Sequence, residues 1–270
     1  MGSDIAITYD DWLELLEEVI QQTCRDLHLG RSIAGRLERG LAAGAANVNR
    51  PYAAQYPGIL YPDLPSEPWP TKAMYPWIAT LEAASPKIES ELHALLAASA
   101  FSAHPEQDKL ADVGEWSEFR MMSRGHRFDA NLRRCPMTAA VLKSIPGSDN
   151  AGSVFFSRLA AGSHIVRHCG PHNLRIRAHL GLIVPNGNCY MRVGTEARCW
   201  TAGEVLLFDD SFEHEVWNYT LFDRCVLIVD TWHPALSADE IKLYCEIDRS
   251  LSACIPSYAV TGDIPARPAS

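Results

Sequence analysis

The sequence predicts an α+β protein whose core is a set of short β-strands, arranged as a sandwich or a double-stranded β-helix, with helices on either side in the chain. Three observations lead there. From Ser153 onward, eight short apolar or alternating runs follow one another, broken by Gly, Pro, Asn and Asp. The gaps between them leave no room for crossover helices, which excludes a doubly wound parallel sheet. A chain of 270 residues with 47% hydrophobic composition is long enough to bury one good core.

The elements follow in order. Trp12, Leu15, Leu16 and Val19 fall at helical spacing, and Asp10 or Asp11 can cap that helix. The segment from Asn47 to Pro76 carries Tyr52, Tyr56, Tyr61, Trp69 and Tyr75 among prolines at 51, 57, 62, 65, 68, 70 and 76. The prolines forbid a long helix, and so many large aromatics suit an ordered wrapping segment better than a linker. A second helix starts at Ser85 with Pro86 at its first position and Ile88, Leu92, Leu95 and Leu96 as its apolar face. The polar stretch Ala103–Arg134 predicts no element. The strand runs are Val154–Leu159, His164–Arg167, Arg177–Val184, Cys189–Val193, Ala197–Trp200, Val205–Phe208, Glu215–Trp217 and Cys225–Thr231. A last helix opens with a capping box from Ser237 to Glu240. The expected layout is a single domain: residues 1–150 helical and wrapping, 151–234 the β core, 235–270 a helix and tail.

Composition excludes some functions. A formal net charge of −9 with no Lys/Arg run makes a poor nucleic-acid binder. No stretch approaches the roughly 20 apolar residues that span a bilayer. The first residues lack a basic region followed by an apolar run, and Ala6 stands where myristoylation wants Ser or Thr, so a cytoplasmic protein is expected. The eight cysteines form no C-x-x-C pair, which leaves a zinc site unsupported and predicts mostly buried free thiols.

The chemistry centres on two histidines. His168 follows a strand in Arg167-His168-Cys169-Gly170-Pro171, and His214 lies in Asp209-Asp210-Ser211-Phe212-Glu213-His214. They are 46 residues apart (214 − 168), enough to travel round a small barrel and return to its mouth. Ten residues later Arg224 opens the last apolar strand. A charge entering such a strand is costly unless paired. Asp223 is adjacent and points to the opposite face, and Asp230 lies about 20 Å further along the same face, so an external anion is the better partner. This order of two histidines and a basic residue is similar to the non-haem iron oxygenases.

Their proximal motif usually reads His-x-Asp or His-x-Glu, whereas this chain has His168-Cys169-Gly170. The stretches His168-Cys169-Gly170-Pro171-His172-Asn173-Leu174-Arg175-Ile176-Arg177-Ala178-His179 and Phe208–Trp217, then Asp230-Thr231-Trp232-His233-Pro234, resemble the aspartyl/asparaginyl β-hydroxylases. The resemblance is clear over roughly Ser153–Pro234. It implies a double-stranded β-helix, and an enzyme using iron(II), 2-oxoglutarate and dioxygen to hydroxylate an unactivated carbon of an Asp/Asn-like residue, amino acid or small biosynthetic intermediate. It implies His168 and His214 as metal ligands, with a glycine where the third carboxylate would be. Ser157 and Arg224 would hold the distal carboxylate of 2-oxoglutarate, Arg177 and His179 its oxo-acid end, and Arg175 the substrate's acidic group. His172 stands where the family has Thr and is expected to alter substrate fit. Asp209 and Asp210 read as turn and capping residues. His164 and His233 read as structural or rim residues, Trp217 and Trp232 as core. The competing reading is a cupin-like metal- or small-molecule-binding module, which would have no need of an anion clamp. The expected partner is a small-molecule or peptide substrate, with no nucleic acid and no membrane; oligomeric state is open.

Overall fold

The computed structural model describes residues 8–28, 31–46 and 52–255; the part of the wrapping segment at 47–51 and the tail from 256 lie outside the described residues. Upstream come helices α1 (Tyr9–Asp26), α2 (Arg31–Ala46), α3 (Trp77–Ala83) and α4 (Ser85–Ala97). Next follow β1 (Ser102–Ala103), α5 (Gln107–Leu110), β2 (Ala111–Val113), β3 (Trp116–Ser123), β4 (His126–Arg127), α6 (Asp129–Arg134) and α7 (Pro136–Leu142). The core continues through β5 (Ser153–Leu159), β6 (Ser163–His168), β7 (Arg175–Ile183), β8 (Cys189–Val193), β9 (Glu196–Cys199), β10 (Val205–Phe208), β11 (His214–Asn218) and β12 (Arg224–Trp232), and helix α8 spans Ala238–Cys254.

All eight expected runs are therefore strands, and they form two facing antiparallel sheets. One has the order β1-β3-β5-β12-β7-β10, with β4 attached to β3; the other has the order β2-β6-β11-β8-β9. From β5 to β12 the chain passes from one sheet to the other at each step except the β8–β9 hairpin, which is the double-stranded β-helix. Strand β12 is buried along its whole length because it lies in the middle of the larger sheet, between β5 and β7. Val226 and Ile228 face the other sheet with Phe155, Ile165, Met191, Phe208 and Val216. Cys225, Leu227 and Val229 face the opposite way, under α3, α4, α6 and α7. Burial on both faces explains the unbroken apolar run. A third cluster joins α1, α2 and α8 to Ile59, Tyr61 and Leu64 of the wrapping segment.

The structure corrects several expectations. The stretch from Ala103 is not empty: β3 is an eight-residue strand paired with β5, so the β core begins upstream of residue 151. Its polar look comes from Glu118 and Arg120, which neutralise each other by two hydrogen bonds of 2.6 and 2.7 Å. Helix α1 begins at Tyr9 and is capped by Thr8, whose hydroxyl accepts from the Asp11 amide at 3.2 Å, upstream of the expected cap position. Helices α2 and α3 fall within the region expected to be helical and wrapping, where the sequence reading places no individual element for them. Trp217 is half-buried on the outer face, stacked between His164 and Tyr190, whereas Trp232 is buried. The capping box of α8 and the Pro86 start of α4 are present as expected. All eight cysteines are free thiols, but only Cys135, Cys189 and Cys225 are fully buried. No helix among the described residues is long and apolar enough to cross a membrane.

Because Leu227 is completely buried in the central strand, Leu227→Ala is expected to cost about 2–5 kcal/mol. Urea denaturation measures it, and a loss under about 1 kcal/mol would contradict this placement of the core.

Candidate active site

The two sheets open a cavity between them, and the ends of β6 and β11 carry its central pair. His168 and His214 are direct Cα partners across these strands, and their rings lie 4.0 Å apart, centroid to centroid. Each ring is oriented the same way. Nδ1 of His168 meets the Val166 carbonyl at 2.8 Å, and Nδ1 of His214 meets the Phe212 carbonyl at 2.9 Å. A carbonyl only accepts, so both Nδ1 atoms carry the proton and both Nε2 lone pairs are left for another partner. Burial pushes both imidazoles below the ordinary pKa, keeping them neutral. A neutral imidazole whose far nitrogen is anchored to a carbonyl is the arrangement of a metal ligand.

Among the described residues no group of three or more His, Cys, Asp or Glu is spaced to hold a metal. The space a third ligand would take is otherwise used. A Cβ on Gly170 would lie 2.7 Å from the carboxyl carbon and both carboxyl oxygens of Asp210. The Gly170 amide also donates to the Asp210 backbone carbonyl at 2.6 Å. The glycine is thus a requirement of space: Asp210 stands beside the histidines, reached from the other loop.

Two buried aspartates and two arginines fix that carboxylate. Arg175 donates to Asp210 at 2.8 and 3.2 Å. Arg177 grips Asp230 with two bonds of 2.7 and 2.9 Å and reaches Asp210 at 3.3 Å. Burial alone would raise both carboxyls, but the paired guanidiniums outweigh it and hold them below the usual carboxylate range. Gly152 makes room for this network, since a Cβ there would sit 2.2 Å from an Asp230 oxygen.

The inner end of the cavity is different. Arg224 is 1% exposed, and its Nε and Nη1 have no hydrogen-bond partner. Its guanidinium lies 4.8 Å above the Trp200 ring, and burial lowers its pKa. Neither candidate aspartate serves it: Asp223 pairs with Arg158 at 2.6 Å and Asp230 with Arg177. His179 Nδ1 accepts from the Trp200 indole at 3.4 Å, so Nε2 carries the proton, and it too is buried without a partner. Ser157 Oγ accepts from the Trp116 indole at 3.0 Å, which leaves its own hydrogen to donate. Three donors converge with no acceptor, inside walls of Phe155, Ile165, Met191, Phe208 and Ile228. Unpaired buried donors are costly and rare in folded proteins, so this end of the cavity has the donor set that an anion would satisfy.

Of the expected site residues, His168, His214, Ser157, Arg175, Arg177, His179 and Arg224 all line this one cavity. His172 does not. It is 3% exposed, packs edge-on against Tyr244 of α8 at 4.9 Å, and is outside the cavity lining. Its neighbour Asn173 is tied to Tyr61, which turns this part of the loop toward the helices. Arg175 and Arg177 line the cavity, yet the charges of both are already met by Asp210 and Asp230, the substrate residue and the 2-oxoglutarate residue of the sequence reading alike. Sequence reasoning missed Asp210, Asp230, Trp116, Trp200 and the buried His104, which stacks on Trp116 at 3.4 Å. The adjacent Asp209 is the residue that acts as the turn former, accepting from the Ser211 amide and hydroxyl.

The site is thus a double-stranded β-helix cavity with a histidine pair at its mouth and a pocket of unpaired donors at its base. Residues 82–234 match the family model described as aspartyl/asparaginyl beta-hydroxylase, and the chain belongs to that family. The human aspartyl/asparaginyl beta-hydroxylase is 38% identical over 138 residues, which is 50% of this chain and 18% of that protein. The ornithine lipid ester-linked acyl 2-hydroxylase of Rhizobium tropici is 35% identical over 215 residues, covering 72% of this chain and 75% of that protein. Among solved structures, a Pseudomonas putida prolyl-4-hydroxylase aligns at 13% identity with a TM-score of 0.37, covering 57% of this chain and 88% of that one.

Two outcomes follow. Gly170→Asp sets a second carboxylate against Asp210 and is expected to cost about 2 kcal/mol or more without speeding turnover. Thermal unfolding checks it, and a variant of wild-type stability or faster hydroxylation would contradict the reading. Burial is the largest cause holding His104 near pKa 2 in the fold, against about 6.5 in the unfolded chain. Below pH 6.5 the unfolded chain takes up a proton that the fold refuses, so stability falls with pH. His104→Gln should remove about 2 kcal/mol of the loss between pH 6.5 and 5, measured by denaturation at each pH; an unchanged slope would contradict it.

Proposed function

We propose that the chain is an iron(II)- and 2-oxoglutarate-dependent hydroxylase, with His168 and His214 holding the metal. The observation that carries this is Arg224, a buried guanidinium whose Nε and Nη1 lack partners, joined by the free N–H of His179. A dicarboxylate fits that end of the cavity: one carboxylate meets Arg224, His179 and Ser157, leaving the rest of the molecule to extend toward the histidines. Bound iron(II) would supply the redox chemistry that couples decarboxylation of 2-oxoglutarate to succinate with hydroxylation of a substrate C–H by dioxygen.

The protein's own residues do the positioning. The Val166 and Phe212 carbonyls keep both imidazoles in the ligand tautomer. Trp116 orients Ser157, and Trp200 orients His179. The apolar walls keep water from the co-substrate end and strengthen its charge pairing. At the mouth, Arg120, Arg124, Arg175 and Arg177 with Ser123 and Ser153 form a polar rim. That rim, its guanidiniums paired with Glu118, Asp248, Asp210 and Asp230, suits a strongly polar head group, as in an Asp/Asn-like residue, an amino acid or a small biosynthetic intermediate. The relatives' names cover both amino-acid side chains and a lipid acyl chain, so the reading commits to hydroxylation and not to one substrate. A cupin-like binding module would need the histidines but not the donor pocket.

Arg224→Ala removes a charge-assisted pair in a dry site, worth about 2–5 kcal/mol, or about 30-fold or more in the KM for 2-oxoglutarate. Iron affinity without co-substrate should hardly change. Succinate formation against 2-oxoglutarate concentration measures the effect. The same concentration dependence in both proteins would make Arg224 structural and overturn the co-substrate assignment.

A further inference from the structure

The two loops that carry the histidine pair are irregular: one runs on from His168 through Pro171 and Asn173, the other leads through Asp210 and Phe212 into His214. Both are gripped by one segment from far upstream. Ala54 accepts from the Glu213 amide at 2.6 Å, and Gln55 and Phe212 form an antiparallel bridge. Five residues on, the Ile59 amide donates to the Pro171 carbonyl at 3.0 Å, and Ile59 bridges His172. Tyr61 and Asn173 then close a reciprocal pair, 2.7 and 3.0 Å, through the Tyr61 amide and carbonyl. This strap lies outside residues 82–234, the stretch matched by the family model.

Gln55 is the strap's internal member. It is fully buried, and its Nε2 donates to Ser211 Oγ at 2.9 Å and to Ser66 Oγ at 3.2 Å. Ser211 in turn donates to Asp209, so the turn before His214 is tied to the strap by side chain as well as backbone. The strap also fixes the Phe212 peptide, whose carbonyl sets the His214 tautomer. Partners that orient a ligating histidine typically change metal affinity 10–100-fold when lost. Among the described residues no third His, Cys, Asp or Glu completes a metal group with the histidine pair, so no further side chain compensates for loop movement.

We propose that the strap from Ala54 to Tyr61 is a clamp that sets the metal site from outside the barrel, and that Gln55 is a positioning residue acting on His214 through Ser211 and the Phe212 peptide. The proposal rests on the reading of His168 and His214 as metal ligands. It also makes the α1, α2 and α8 cluster, into which Ile59 and Tyr61 pack, a buttress of the site.

The experiment titrates the full chain with cobalt(II) alone, following the visible absorption bands for affinity and geometry, with thermal unfolding of the metal-free protein alongside. Gln55→Leu and Ser211→Ala should each weaken cobalt(II) binding about 10-fold or more and alter the band pattern, with a metal-free Tm close to wild type. The double variant should be no weaker than Gln55→Leu, because both remove one link. Ser66→Ala, which loses only Gln55's other hydrogen bond, should bind as wild type does. Should Gln55→Leu fail to fold, Ser211→Ala carries the same comparison. Wild-type cobalt(II) affinity and spectrum in Ser211→Ala and in a folded Gln55→Leu overturn the clamp alone, as does equal weakening in Ser66→Ala. Absence of cobalt(II) binding by the wild type overturns the histidine reading and the clamp with it.

Discussion

A guanidinium shut inside a protein needs an anion, and the cavity is organised around one that has none of its own. Charges near this cavity come in pairs: Arg120 with Glu118, Arg175 and Arg177 with Asp210 and Asp230, Arg158 with Asp223. Arg224 is the exception, at the point where a central strand starts. Leaving a buried cation unpaired costs far more than a surface charge does, so the fold is best satisfied when an acid enters. The indole donors of Trp116 and Trp200 serve the same end, because each turns a neighbouring polar side chain into a donor rather than a partner for the arginine.

The barrel is what separates this pocket of unpaired donors from the histidine pair. Strand β12 runs from Arg224 to Asp230 and Trp232, so one strand supplies the deep cation at one end and the anchor for Arg177 at the other. The facing sheet brings His168 and His214 together by register alone, through the β6–β11 pairing. The two glycines at the network, Gly152 and Gly170, leave room for the aspartates that close it. Substitution at either forces a buried carboxylate to move, so their role is one of space rather than chain flexibility.

Much of this could be read from the chain, and the limits have physical causes. Strand runs such as Val205–Phe208 and the Ser237 capping box are local patterns, visible over a few residues. Arg224 was legible because its burial could be inferred from the strand around it and its obvious partners eliminated by geometry. Asp210 was not, because its partners Arg175 and Arg177 lie more than thirty residues away and its turn-like neighbourhood belongs to Asp209. Strand β3 hid behind Glu118 and Arg120, whose charges cancel only once the strand is folded. His172 looked like a cavity residue from its distance to His168, but the tie between Asn173 and Tyr61 turns the loop away. The clamp of Gln55 was beyond reach, since it joins segments separated by 156 residues.

The most direct test loads the wild-type protein with iron(II) without oxygen, then adds 2-oxoglutarate while recording the visible spectrum. A 2-oxo acid chelated to iron(II) gives a charge-transfer absorption that neither gives alone. The band should appear only after both are present and saturate at equimolar iron. If iron binds yet 2-oxoglutarate produces no band at saturating concentration, the donor pocket at Arg224 is not a co-substrate site and the chain is a metal-binding barrel.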